Sequence, residues 1–99
     1  MKLERLEELR EEVDEIDRQL VELIAKRRDT ALQIAGEKQK IGKRLKDGPR
    51  MDKVMSNISS MAEAKGLEKK EIEAIWMRII NMMIKEQAGK YPQLAEIKV

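Results

Sequence analysis

Residues 3–41, LERLEELREEVDEIDRQLVELIAKRRDTALQIAGEKQKI, decide the fold. The stretch has no proline, and no glycine before Gly36. Leu6, Val13 and Leu20 recur at intervals of seven, and Leu9, Ile16 and Leu23 form a second series three positions on. That spacing predicts one long amphipathic helix with a coiled-coil-like seam. Carried forward, the register reaches Arg27, Thr30 and Ile34. An arginine therefore stands where aliphatic side chains stood before. A guanidinium is costly to take out of water unless it is paired, so Arg27 calls for a protein carboxylate or an anionic ligand.

Fifty-two of the 99 residues are Ala, Glu, Leu, Lys or Arg, the composition of long helices and coiled coils. An all-α fold is expected, in a single domain covering residues 1–99. A helix over 3–41 would be roughly 58 Å long, against a radius of gyration of about 13 Å for a compact chain of this size. Such a helix outruns its own domain. Its stripe then needs a second copy of the chain, and an obligate homodimer is expected in which folding and association are one event.

Acidic residues dominate the early turns of this helix and basic residues the later ones, matching the helix dipole. Gly36 weakens it by roughly 1 kcal/mol relative to alanine, which so strong a pattern tolerates. The helix should fade at Ile41 and Gly42, leaving Lys43 to Gly48 as a short basic loop. Asp47, Gly48 and Pro49 then form a start signal, Asp47 as N-cap and Pro49 in the first turn. The second helix, about 49–65, carries the stripe Met51, Val54, Met55, Ile58, Met61 and Ala62 and ends at Gly66. The third, about 68–88, carries Ile72, Ile75, Trp76, Ile79, Ile80 and Met83, with the polar Gln87 next in line. Gly89 and Pro92 stop it, and 89–99 reads as a tail.

The 21 basic and 19 acidic residues are interspersed, unlike the one-sided field of a nucleic-acid binder. Trp76 and Tyr91, the one tryptophan and the one tyrosine in a chain without phenylalanine, leave little for base stacking. With no cysteine and no histidine, there is no disulfide framework, no thiolate nucleophile and no common nitrogen ligand for a transition metal. No run approaches a membrane span or a signal peptide. A soluble cytoplasmic protein without nucleic-acid or membrane partners is the reading.

Arg27, Lys38 and Gln87 interrupt or border the apolar stripes. Arg27 and Lys38 are eleven residues apart, a rotation of only about 20° and a rise of roughly 16 Å on an ideal helix. Two long side chains could close on a small dianion between them. Arg10 is about 25 Å from Arg27 along the axis and rotated by about 100°, so it could serve such a ligand only across a dimer. Taken singly, each has a plain structural reading. Arg27 could be a register device, Lys38 a solvated side chain, Gln87 a core amide, Asp47 a cap and Arg50 a surface charge.

Together they carry a resemblance. The run LREEVDEIDRQLVELIAKRRDTALQIAGEKQ at 9–39, then DGPR at 47–50 and IINMMIKEQ at 79–87, resemble the all-helical chorismate mutases from Leu3 to Gln87. The first-helix match is specific: LR, the EID triad, the RR pair, and a lysine eleven residues after its first arginine. The resemblance implies an intertwined dimer of three-helix chains with two equivalent sites, each converting chorismate to prephenate without metal or cofactor. It makes Arg10 the arginine donated by the partner subunit and Arg27 a binder of substrate carboxylate. Lys38 would hold the ether oxygen and a carboxylate, Gln87 would be the second donor to that oxygen, and Asp47 and Arg50 would stand at the site's edge.

Two positions depart from the family pattern. Met51 stands where a glutamate usually meets the ring hydroxyl, and Met83 where many members have a small polar residue. Similar losses occur in the related isochorismate-pyruvate lyases, which form salicylate on the same fold, although their usual loop lacks an aspartate at the Asp47 position. A non-enzymatic helical dimerisation module, with Arg27, Lys38 and Gln87 as interface pairs, is the alternative of another class.

Overall fold

Helix-forming residues carry the first element through the whole predicted stretch, and glycines set where the turns fall. The structure, a computed structural model, describes residues 2–45 and 47–95. Met1, Lys46 of the expected loop and 96–99 of the expected tail lie outside the described residues. Four helices follow in order: α1 (Lys2–Ile41), α2 (Gly48–Ala64), α3 (Lys69–Lys90) and a short α4 (Pro92–Ala95). No strand occurs among the described residues. α1 and α2 end alike. Gly42 and Gly66 take left-handed φ values of 73° and 72°, and the next residue's N–H bonds back to the carbonyl five positions earlier, Lys43 to Lys38 at 2.9 Å and Leu67 to Ala62 at 2.8 Å. Only a residue without Cβ adopts this turn at little cost. Asp47 caps α2 as expected, its carboxylate accepting from the Arg50 N–H at 3.1 Å, with Pro49 in the first turn.

The chain divides at Thr30 into two compact units, with α1 contributing to both. In the first unit the aliphatic stripe is open, from 41% exposed at Leu6 to 74% at Leu3. Around it run short-range ion pairs. Arg18 bridges Glu15 and Glu22, and Arg5 pairs with Glu8 at 3.2 Å. Each is exposed and screened by solvent, and contributes little to stability. The Arg18 guanidinium, helped by Gln19, holds the Glu15 carboxyl below its ordinary range. Its small contribution is therefore present at neutral pH and lost as pH falls through that lowered value.

In the second unit α2 packs along α3. Ile58 and Ala62 are buried on α2, and Ile80, Met83 and Gln87 on α3. Two predicted stripe residues are out of the core: Met61 and Ile75 are mostly exposed. Ala62, four residues after Ile58, continues the buried line, while Met61 is rotated off it.

The expected tail is corrected as far as residue 95. α3 continues through Gly89, which faces solvent, to Lys90, and the Tyr91 N–H bonds the Gln87 carbonyl at 2.8 Å. Pro92 does not end the structure but opens α4, at a first-turn position where its missing N–H costs nothing. Leu94 is buried with Ala35 and Leu45, and Ala88 and Tyr91 pack against the three.

Gly36 acquires a reason here. A Cβ on it would meet the Tyr91 hydroxyl oxygen at 3.1 Å but the ring carbon beneath at an ordinary 3.7 Å. Gly36→Ala should therefore fail to deliver the roughly 1 kcal/mol of helix propensity in the wild type, and should deliver it once Tyr91→Phe removes the hydroxyl. Chemical denaturation of both single variants and the double variant checks this; equal gains in the two backgrounds would contradict the close approach.

Candidate active site

The second unit places two of the expected donors on one face of α1. Gln87 is only 8% exposed. A buried amide must find partners, and its Nε2 donates to the Ala31 carbonyl at 2.6 Å, joining α3 to α1 across 56 positions of sequence. Lys38 is seven residues beyond Ala31, which on an ideal helix is about 10 Å further and back on the same face. Its ammonium is half-buried and donates to the Leu45 carbonyl at 2.7 Å. Ala35, fully buried, lies between them on that face. Met83 precedes Gln87 by one turn of α3 and is 2% exposed. The wall beside Gln87 is therefore apolar.

Asp47 and Arg50 are both exposed at the start of α2, joined through the cap, and Met51 is half-buried one residue on. Among the described residues no side-chain hydrogen bond or ion pair joins Asp47 or Arg50 to Lys38 or Gln87, and the carboxylate of Asp47 is engaged by the Arg50 backbone N–H. In the first unit, Arg27 is half-buried on α1. Arg10 is exposed and pairs with Glu7 at 2.9 Å, a surface contact of small worth.

Two residues that order this region were not singled out from the sequence. Leu45 reads as part of a basic loop and Leu94 as part of a tail, yet both are buried, and the Leu45 N–H reaches the Leu94 carbonyl at 3.4 Å. The available signal was a lone leucine among charges at Leu45 and a leucine between Gln93 and Ala95 in the tail, and periodicity registers neither. Among the described residues no group of His, Cys, Asp or Glu could hold a metal ion, and no helix is long and apolar enough to cross a membrane. What the arrangement offers is hydrogen-bond donors: a cation and a neutral amide, both oriented by backbone carbonyls, beside apolar walls.

The Ala31 bond makes a pH-dependent prediction. In Gln87→Glu, the carboxyl can keep that bond only while protonated, so burial and the facing carbonyl raise its folded pKa above the unfolded value. The variant's stability relative to wild type should be kept at acid pH and lost as pH rises through the folded pKa, by about 1 to 3 kcal/mol at pH 8. Urea denaturation at several pH values tests it; a pH-independent difference from wild type would remove the Ala31 bond from the account.

Residues 9–88 match the family described as chorismate mutase type II. No curated protein and no solved structure matches the chain.

Proposed function

Because the chain belongs to the chorismate mutase type II family, we propose that it is an isomerase that rearranges chorismate to prephenate, the step towards phenylalanine and tyrosine. The observation that carries this reading is the pair Lys38 and Gln87, held on one face of α1 by the Leu45 and Ala31 carbonyls. The reaction is pericyclic. One carbon–oxygen bond breaks as a carbon–carbon bond forms, with no covalent intermediate, no general base and no cofactor. Catalysis then consists of holding a dianion in a compact chair-like geometry and stabilising the charge that grows on the ether oxygen.

Lys38 suits that oxygen because an ammonium has three N–H donors and the Leu45 carbonyl uses one. Gln87 suits it because its amide has two, of which Ala31 takes one, so the core amide and the catalytic donor are the same group seen from two sides. Arg27 binds a carboxylate of the substrate. Arg10 is supplied by the second copy of a homodimer, which also covers the open stripe of α1. Asp47, Arg50, Met51 and Met83 complete the substrate site, and the setting is cytoplasmic.

The half-buried Met51 and buried Met83 favour one second reading, cleavage of isochorismate to salicylate and pyruvate, since neither methionine offers the strong hydrogen bond expected for a ring hydroxyl. Asp47 favours the mutase. Purified protein offered each substrate separately should convert chorismate to prephenate and leave isochorismate unchanged; salicylate from isochorismate would replace the first reading with the second. Subunit sharing has its own test. An Arg10→Ala chain and an Arg27→Ala chain, each nearly inactive alone, should regain part of the wild-type rate when dissociated and re-dimerised together, because one site of the mixed dimer is intact. A mixture as inactive as its components would show that the two arginines do not meet across subunits.

A further inference from the structure

We propose that the C-terminal turn, Tyr91 to Leu94, is a positioning element that sets the Lys38 ammonium through Leu45. Its catalytic consequence rests on the mutase reading above. Lys38 donates to the Leu45 carbonyl at 2.7 Å, so where that carbonyl sits decides where the ammonium sits. Leu45 lies beyond the end of α1, in a segment rich in lysine and arginine that has no helix of its own to fix it. It is fixed from the other end of the chain. The Leu45 N–H reaches the Leu94 carbonyl at 3.4 Å, and the Leu45 and Leu94 side chains are buried together over Ala35.

Leu94 is in turn held to α3. Its N–H bonds the Tyr91 carbonyl at 3.0 Å, and the Tyr91 N–H bonds the carbonyl of Gln87 at 2.8 Å. The Tyr91 hydroxyl abuts Gly36, two residues before Lys38, where any Cβ would crowd it. One short segment thus connects the backbone of Gln87 to the side chain of Lys38. A carbonyl held on one side of a long flexible side chain removes rotamer freedom that substrate binding would otherwise have to remove, and it leaves two ammonium protons directed elsewhere.

Neither Leu94 nor Tyr91 is placed against the substrate; they act through Leu45. Loosening a positioning element of this kind costs roughly ten- to a hundred-fold in rate without deleting any reacting group. Three variants separate positioning from plain packing: Leu94→Ala, Leu94→Met as the conservative control, and Leu94→Val as a milder loss should Leu94→Ala fail to fold.

In ligand-free, isotopically labelled protein, Leu94→Ala should speed amide exchange at Leu45 and shift the Lys38 side-chain resonances, while Leu94→Met stays near wild type. On chorismate, Leu94→Ala should lower kcat/KM about ten-fold with helicity retained, and Leu94→Met should restore it. Lys38 resonances that ignore Leu94→Ala would overturn the link, and an unchanged kcat/KM despite shifted resonances would overturn its role in catalysis. A wild type that converts no chorismate would remove the mutase reading alone, because the Lys38 resonances decide the positioning link without substrate.

Discussion

A buried amide with one carbonyl to satisfy it is the constraint on which the second unit turns. Gln87 cannot sit at 8% exposure without a partner, and it takes the Ala31 carbonyl, whose first lone pair already serves the helix. Such a bond is worth only about 1 kcal/mol when made, but an orphaned buried donor or acceptor costs about 1 to 3. The asymmetry favours this register of α3 against α1 over its neighbours. Once the register holds, the face that α1 presents after Ala31 is shared out: Ala35 to Leu45 and Leu94, Gly36 to Tyr91, Lys38 to the Leu45 carbonyl. Small residues at 35 and 36 are what let the C-terminal turn come so near.

The first unit has the opposite character. Eight aliphatic residues of α1, from Leu3 to Leu23, remain substantially open. Burying a Leu, Ile or Val side chain fully is worth about 1.5 to 3 kcal/mol. Half of that, eight times over, rivals the roughly 5 to 15 kcal/mol that separates a folded domain from its unfolded chain. Exposed ion pairs such as Arg18 with Glu15 cannot supply a comparable sum. Cover by a second copy, as in the proposed dimer, answers that imbalance, and it places folding and site assembly under the same equilibrium.

The legible part of this fold was the part written in periodicity and punctuation. Seven-residue spacing gave α1 its full length, Gly42 and Gly66 gave the ends of α1 and α2, and Asp47 gave the cap. Arg27, Lys38 and Gln87 stood out because each broke or bordered an apolar stripe, and the identities around them carried the family resemblance. Met61 and Ile75 fitted their stripes and still lie outside the core, because periodicity reports a helix face without saying how wide a neighbour covers it. Leu45, Leu94 and the contact between Gly36 and Tyr91 were illegible for a different reason. Each belongs to a segment too short to show a period, and their partners lie tens of residues away. Gly36 in particular looks from the sequence like a tolerated weakness in α1, whereas it is the position that admits the tyrosine.

The two methionines bear on how the proposed site recognises its substrate. Met83 is buried one turn of α3 before the buried Gln87, and Met51 is half-buried at the start of α2. A thioether is a weak acceptor and no donor, so neither position can specify a hydroxyl strongly. Apolar walls have a compensating effect, because they keep water and its high dielectric away from the charges that remain, and a cation acts more strongly on an anion across such a wall than in solvent. Recognition in the proposed site is thereby shifted from the ring hydroxyl to the carboxylates and the ether oxygen, the features met by Arg27, Lys38 and Gln87. A site built this way discriminates poorly between dianions that differ in hydroxyl position by binding alone. It discriminates by where the donors stand when the bond breaks, and on the proposed reading that returns selectivity to the placement of the Lys38 ammonium and the Gln87 amide by two backbone carbonyls.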